Sequence, residues 1–111
     1  MTARSLAKAE WQGYCDLMSK HLLGNQAEIE VGSLVFGDQV AAKWLQLLGI
    51  TYDPKGDLVD IALEGFDHLI HQPREIFVED GPEGLRTMEI VGADQSRQIV
   101  KLRQPLMITK S

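Results

Sequence analysis

Apolar residues recur along this chain with two different periods, and the change from one to the other divides it. Trp11, Tyr14, Cys15, Met18 and Leu22 fall at i, i+3, i+4, i+7 and i+11, one stripe of an α-helix, with Glu10, Gln12, Asp16, Ser19 and Lys20 around the rest of the circumference. The spacing predicts a helix over 9–23. Gly24-Asn25 supplies its stop, because Gly takes the left-handed conformation there without a Cβ penalty. Gly13 inside the helix costs roughly 1 kcal/mol relative to Ala, which points to close packing against a sheet. Ser5 is a candidate cap upstream, although Lys8 stands where a capping box would place Glu or Gln.

From Ala27 the period becomes two. Ile29 and Val31 alternate with Glu28 and Glu30, the mark of a half-buried strand. Gly37-Asp38 is a tight-turn pair. Beyond it Val40, Ala42 and Trp44 share one expected face, and Leu48, Ile50 and Tyr52 alternate with Gly49 and Thr51. The adjacent Leu47 and Leu48 break the alternation, so the long strand should bend or bulge near 45–49. Asp53-Pro54-Lys55-Gly56 is the strongest turn signal: Pro presets the second position, Asp bonds the backbone ahead, and Gly is expected at the left-handed position. Val59, Ile61 and Leu63 then face one side, so 48–64 reads as an antiparallel hairpin. Residues 66–73 read as an irregular link with one helical turn, ended by Pro73. Ile76 with Val78, Met88 with Ile90, and Val100 with Leu102 mark further strands.

The expected strands are 27–35, 39–52, 57–64, 74–80, 86–92 and 97–103. Short connections make neighbours antiparallel. The expected fold is α+β: an N-terminal amphipathic helix packed on a curved, about six-stranded antiparallel meander. Six short strands with a bent second one would also suit a small open SH3-like barrel.

The length of 111 residues fits one domain over 1–111, with enough chain for a core without staples. Apolar residues at 44% and charged residues at 24% argue against disorder. No apolar run reaches the roughly 20 residues of a membrane helix, and no secretory signal peptide is visible. Cys15 is the only cysteine, which excludes an internal disulfide and a cysteine-based zinc site and suits the cytoplasm. A net charge of −5 repels nucleic acid unless cations cluster. Arg97, Lys101 and Arg103 would share one face of the last strand, a solvated face before it is a phosphate track.

Candidate chemistry is sparse. His68 and His71 would lie on one side of a helical turn beside Asp67, two imidazoles and a carboxylate able to hold zinc or a related metal. The metalloprotease spacing is missing, and surface or capping roles compete. Carboxylates gather at Glu28/Glu30, Asp57/Asp60 and Glu79/Asp80/Glu83, without the spacing of a calcium loop. Cys15, on the apolar stripe, reads as a buried inert thiol. No nucleophile elbow, phosphate loop or dinucleotide fingerprint occurs, so no cofactor is expected. Trp11, Trp44 and Phe66 read as core. Phe77 points away from Ile76 and Val78, and with Leu58, Leu106, Met107 and Ile108 it forms the candidate interface, an exposed apolar patch.

The stretches Leu-Leu-Gly-Ile-Thr-Tyr-Asp-Pro-Lys (47–55), Ile-Ala-Leu-Glu-Gly-Phe-Asp-His-Leu-Ile (61–70) and Pro-Arg-Glu-Ile-Phe-Val (73–78), with Glu10-Trp11 and Arg97-Gln98-Ile99-Val100, resemble a family of small bacterial proteins classed as a domain of unknown function. The resemblance spans nearly the whole chain. It implies a bacterial cytoplasmic protein and supplies no activity, cofactor or catalytic residue. An Arg-His pair often stands in that family where this chain has His71-Gln72, which counts against a metal role for His71. The expected function is a non-enzymatic binding or interaction module, a homo-oligomer or bound to a protein partner. The alternatives are a metal-dependent enzyme using His68, His71 and Asp67, and a weak RNA-binding module using Arg97, Lys101 and Arg103.

Overall fold

The computed structural model describes residues 2–20, 25–33, 37–81 and 84–106. A short strand, β1 (Thr2–Ser5), leads through a 3-10 turn at Lys8–Glu10 into helix α1 (Trp11–Ser19). Seven strands follow: β2 (Gln26–Ser33), β3 (Gly37–Asp53), β4 (Leu58–Leu63), β5 (Phe66–His71), β6 (Glu75–Gly81), β7 (Gly84–Val91) and β8 (Arg97–Leu106). They form one open eight-stranded sheet in the order β1-β6-β7-β8-β2-β3-β4-β5, antiparallel throughout. The α+β class and the helix-on-sheet arrangement are as the periodicity predicts, and 48–64 is a hairpin. Leu22 and Gly24, Val35 and Phe36, Pro82 and Glu83, and Met107 and Ile108 lie outside the described residues.

The expected single meander needs correction. β2 to β5 form one meander and β6 to β8 another, joined where β2 pairs with β8. β5 and β6 stand six places apart in the sheet, yet only residues 72–74 join them. Six strand spacings would separate them by about 29 Å in a flat sheet, and so short a link reaches about 14 Å. The sheet therefore curls until its two ends approach. Among the described residues it does not close, because β1 and β5 each pair on one side only.

β3 makes the corner. Its first half pairs with β2 as far as Gln46, and its second half pairs with β4 from Leu47 onward. The expected bulge is present as a register shift between Leu47 and Gly49. Two further irregularities were not anticipated. Val40 pairs with Glu30 and Ala42 with Ile29, so Val40 turns to the outer face while Ala42 stays inside. Trp44 has φ +53° and lies half-buried under the Arg103 guanidinium, 5.4 Å from its ring centre, not in the core. At the turn after β3 the left-handed residue is Asp57, φ +50°. Gly56 serves by being small, since a Cβ there would meet Asp53 Oδ2 at 3.1 Å.

α1 occupies the side of β3 that β2 has vacated. Trp11, Cys15 and Met18 are buried, and Trp11 meets Tyr52 edge to face at 5.2 Å. Ser19 Oγ donates to Ile50 O at 2.6 Å and accepts from Ile50 N–H at 3.0 Å, replacing the missing strand at that residue. At the other side of the helix, Tyr14 donates to Asp80 Oδ2 at 3.1 Å, and Arg4 donates through two nitrogens to the same carboxylate. Ser5 caps nothing, because it lies in β1. Gly13 faces open space, so close packing does not explain it. Inward residues of both meanders, among them Ile29, Ile50, Ile61, Ile76, Ile90 and Val100, make one core.

Candidate functional site

The histidine segment is a strand, not a helical turn. In β5 successive side chains alternate, so His68 and His71 point to opposite faces and cannot share a metal as i and i+3 ligands. His68 shares the inner side with buried Ile70, and Asp67, Leu69 and His71 lie on the outer side. Among the described residues, no group of three or more His, Cys, Asp or Glu is placed to hold a metal ion.

His68 instead starts a polar chain that ties β5 to β8 across the curl of the sheet. Its Nε2 lies 2.7 Å from Gln98 Oε1. The Gln98 amide donates to Ser96 Oγ at 2.9 Å, and the Ser96 hydroxyl donates to Asp94 Oδ1 at 2.7 Å. Since Ser96 and Gln98 commit their protons in that direction, Gln98 Oε1 must accept and His68 Nε2 must carry the hydrogen. Ser96 holds the Asp94 carboxyl below the usual carboxylate range, through its hydroxyl first and its backbone N–H second. Gln98, only 6% exposed, is the polar side chain that reaches the core. A polar residue in the inward register of Val100 and Leu102 was the available sign of this bridge.

Beside the chain opens a cleft of about 350 Å³, with Leu69, His71 and Gln72 along one wall and Gly92, Asp94 and Ser96 along the other. Gln72 and the turn residue Gln95 both have left-handed backbones, φ +52° and +68°. Non-Gly residues there are uncommon and gather at functional sites.

The first wall of this cleft is also a sheet edge. Gln72 N–H bonds Asp57 O, which continues the β4–β5 register. Even-numbered residues of β5 therefore direct their backbone groups to β4. By the antiparallel alternation, N–H and C=O of Asp67, Leu69 and His71 point to the free side. Leu69 is 46% exposed and Phe66 39%, so Phe66 is not the core residue expected. No Lys, Pro or bulge interrupts β5, the usual means of blunting an edge. Directly opposite Leu69 and diagonal to Asp67, Asp60 has its Oδ1 buried without a hydrogen-bond partner. Burial first, and then the neighbouring Asp67 carboxyl, raise the Asp60 pKa.

The other candidates are scattered. Leu58 and Phe77 are both half-buried on the outer face, on strands five places apart, so they do not form one patch. Leu106 ends β8 opposite Leu85, and Met107 and Ile108 lie outside the described residues. Arg97, Lys101 and Arg103 do share a face. Arg97 pairs with Glu89 and Lys101 with Glu30 at 3.3 Å, so two of the three charges are paired within the sheet, while Arg103 donates to the neutral Gln26 amide at 3.2 Å. Asp57 accepts from the Tyr52 hydroxyl at 2.8 Å, and Glu79 from Thr87 at 3.4 Å. Cys15 is fully buried, and burial pushes its thiol up to about 12, which leaves little nucleophilic thiolate.

Fold and site together define an open, curled antiparallel sheet whose β5 edge lies beside a polar cleft. The chain matches the model of a family of unknown function (DUF5335) over residues 2–111, and it belongs to that family. It is 36% identical over 104 residues to an uncharacterized protein of the bacterium Aquifex aeolicus (strain VF5), covering 93% of this chain and 94% of that one. No solved structure matches it. No described helix is long and apolar enough to cross a membrane.

Proposed function

We propose that the protein is a non-enzymatic interaction module that self-associates by adding a strand to the free edge of β5. The observation that carries this reading is the row of outward backbone groups at Asp67, Leu69 and His71 on an edge that no Lys, Pro or bulge interrupts. The polar chain from His68 to Asp94 supports the reading as a brace that holds β5 in place. The reading calls for no cofactor. Its setting is the cytoplasm, in keeping with a single buried thiol.

Light scattering over a range of concentrations tests it. Wild-type protein should gain mass as concentration rises, and Leu69→Lys, which places a charge on the exposed edge, should remain monomeric. A wild-type monomer at every concentration, or association that Leu69→Lys leaves intact, contradicts it.

A further inference from the structure

We infer that the strand added to β5 is the β5 of a second copy, paired about a two-fold axis through Leu69. This rests on the reading of the β5 edge given above and specifies its partner. The outward backbone groups belong to Asp67, Leu69 and His71, so those three residues must form the hydrogen-bonded pairs of any added strand. An antiparallel copy of the same strand centred on Leu69 meets that requirement in both chains at once. Leu69 then stands opposite Leu69 of the second copy, and Asp67 of each chain stands opposite His71 of the other. A two-fold interface of this kind presents the same patch from both sides.

The side chains complement one another in this register. All three lie on the outer face, with Leu69 exposed. The two leucines meet at the centre, flanked on each side by a carboxylate facing an imidazole. Within one chain Asp67 has an acidic neighbour, Asp60, whose Oδ1 lacks a hydrogen-bond partner. The second copy's His71 brings a donor to this acidic pair. A shift of two residues along the strand would instead place Leu69 opposite Asp67 or His71 and lose both matches. The cleft beside residues 69–72 lies between this edge and the β7–β8 turn.

Cysteine cross-linking with charge exchange provides the test, using the full chain. Residues opposite each other in a hydrogen-bonded pair have Cα atoms about 5.5 Å apart, within disulfide range. Leu69→Cys should form a disulfide-linked dimer under mild oxidation. Leu48→Cys, at a more exposed position on β3, should not, and buried Cys15 should stay unreacted. His71→Glu, which faces Asp67 with a like charge, should weaken association roughly tenfold. Asp67→Lys combined with His71→Glu should restore it, with circular dichroism confirming the fold of each variant. Association that Leu69→Lys abolishes, but with no Leu69→Cys cross-link and no restoration, overturns this pairing and leaves β5 as the recognition element. Monomers throughout overturn both.

Discussion

At the scale of single residues, the fold depends on a few side chains that stand in for missing backbone partners. Ser19 is the clearest, since its hydroxyl serves both backbone groups of Ile50 where β2 no longer runs beside β3. Ser19→Ala should lower stability by about 1–3 kcal/mol, because both groups lose their partner. Denaturant unfolding should show a lower midpoint with an unchanged slope. Three other groups set the alkaline limit. Burial raises Cys15 and Tyr52 to about 12 and raises Tyr14 as well, where the Asp80 carboxylate adds to the effect. Each is held protonated in the folded protein, while the unfolded chain ionises near its ordinary values of 9.0 for Cys and 10.0 for Tyr. Stability from these groups is complete below about pH 9 and is lost as pH rises toward the folded values. Thermal unfolding followed from pH 8 to 11 should show a falling midpoint together with late appearance of phenolate absorbance. A flat profile contradicts it.

At the scale of elements, the helix and the two meanders show what periodicity can and cannot reveal. α1 was legible because its stripe faces a core, and the Gly13 reading failed because that position faces solvent. Gly13→Ala should therefore stabilise the protein by about 1 kcal/mol, read as a raised unfolding midpoint. The hairpin at 48–64 and the inner faces of β4, β6, β7 and β8 followed from strict alternation. β1 and β5 did not. β1 is four polar or small residues held by its pairing to β6 and by the Arg4–Asp80 pair. β5 buries only Ile70 deeply, so as an edge strand it needs no apolar alternation, and adjacent Leu69 and Ile70 masked its period. The same property made its histidines look like a helical pair. The faces of Val40 and Trp44 were hidden by irregularities in β3 that composition does not announce.

At the scale of the whole molecule, a short link between distant strands forces the curl, and the curl brings β5 against the start of β8. The chain from His68 through Gln98 and Ser96 to Asp94 bridges that approach without sealing the edge. Apart from polar Gln98 in an inward register, none of this was visible in the sequence, because it depends on β2 pairing with β8 across most of the chain. The outcome is a braced strand with one side unpaired, and its use in association is the claim on which the functional reading stands. Hydrogen exchange of individual backbone amides over a range of protein concentrations measures it most directly. Exchange at Asp67, Leu69 and His71 should slow as concentration rises, while exposed residues away from β5 stay unchanged. Equal exchange of those three amides in dilute and concentrated protein would contradict the account.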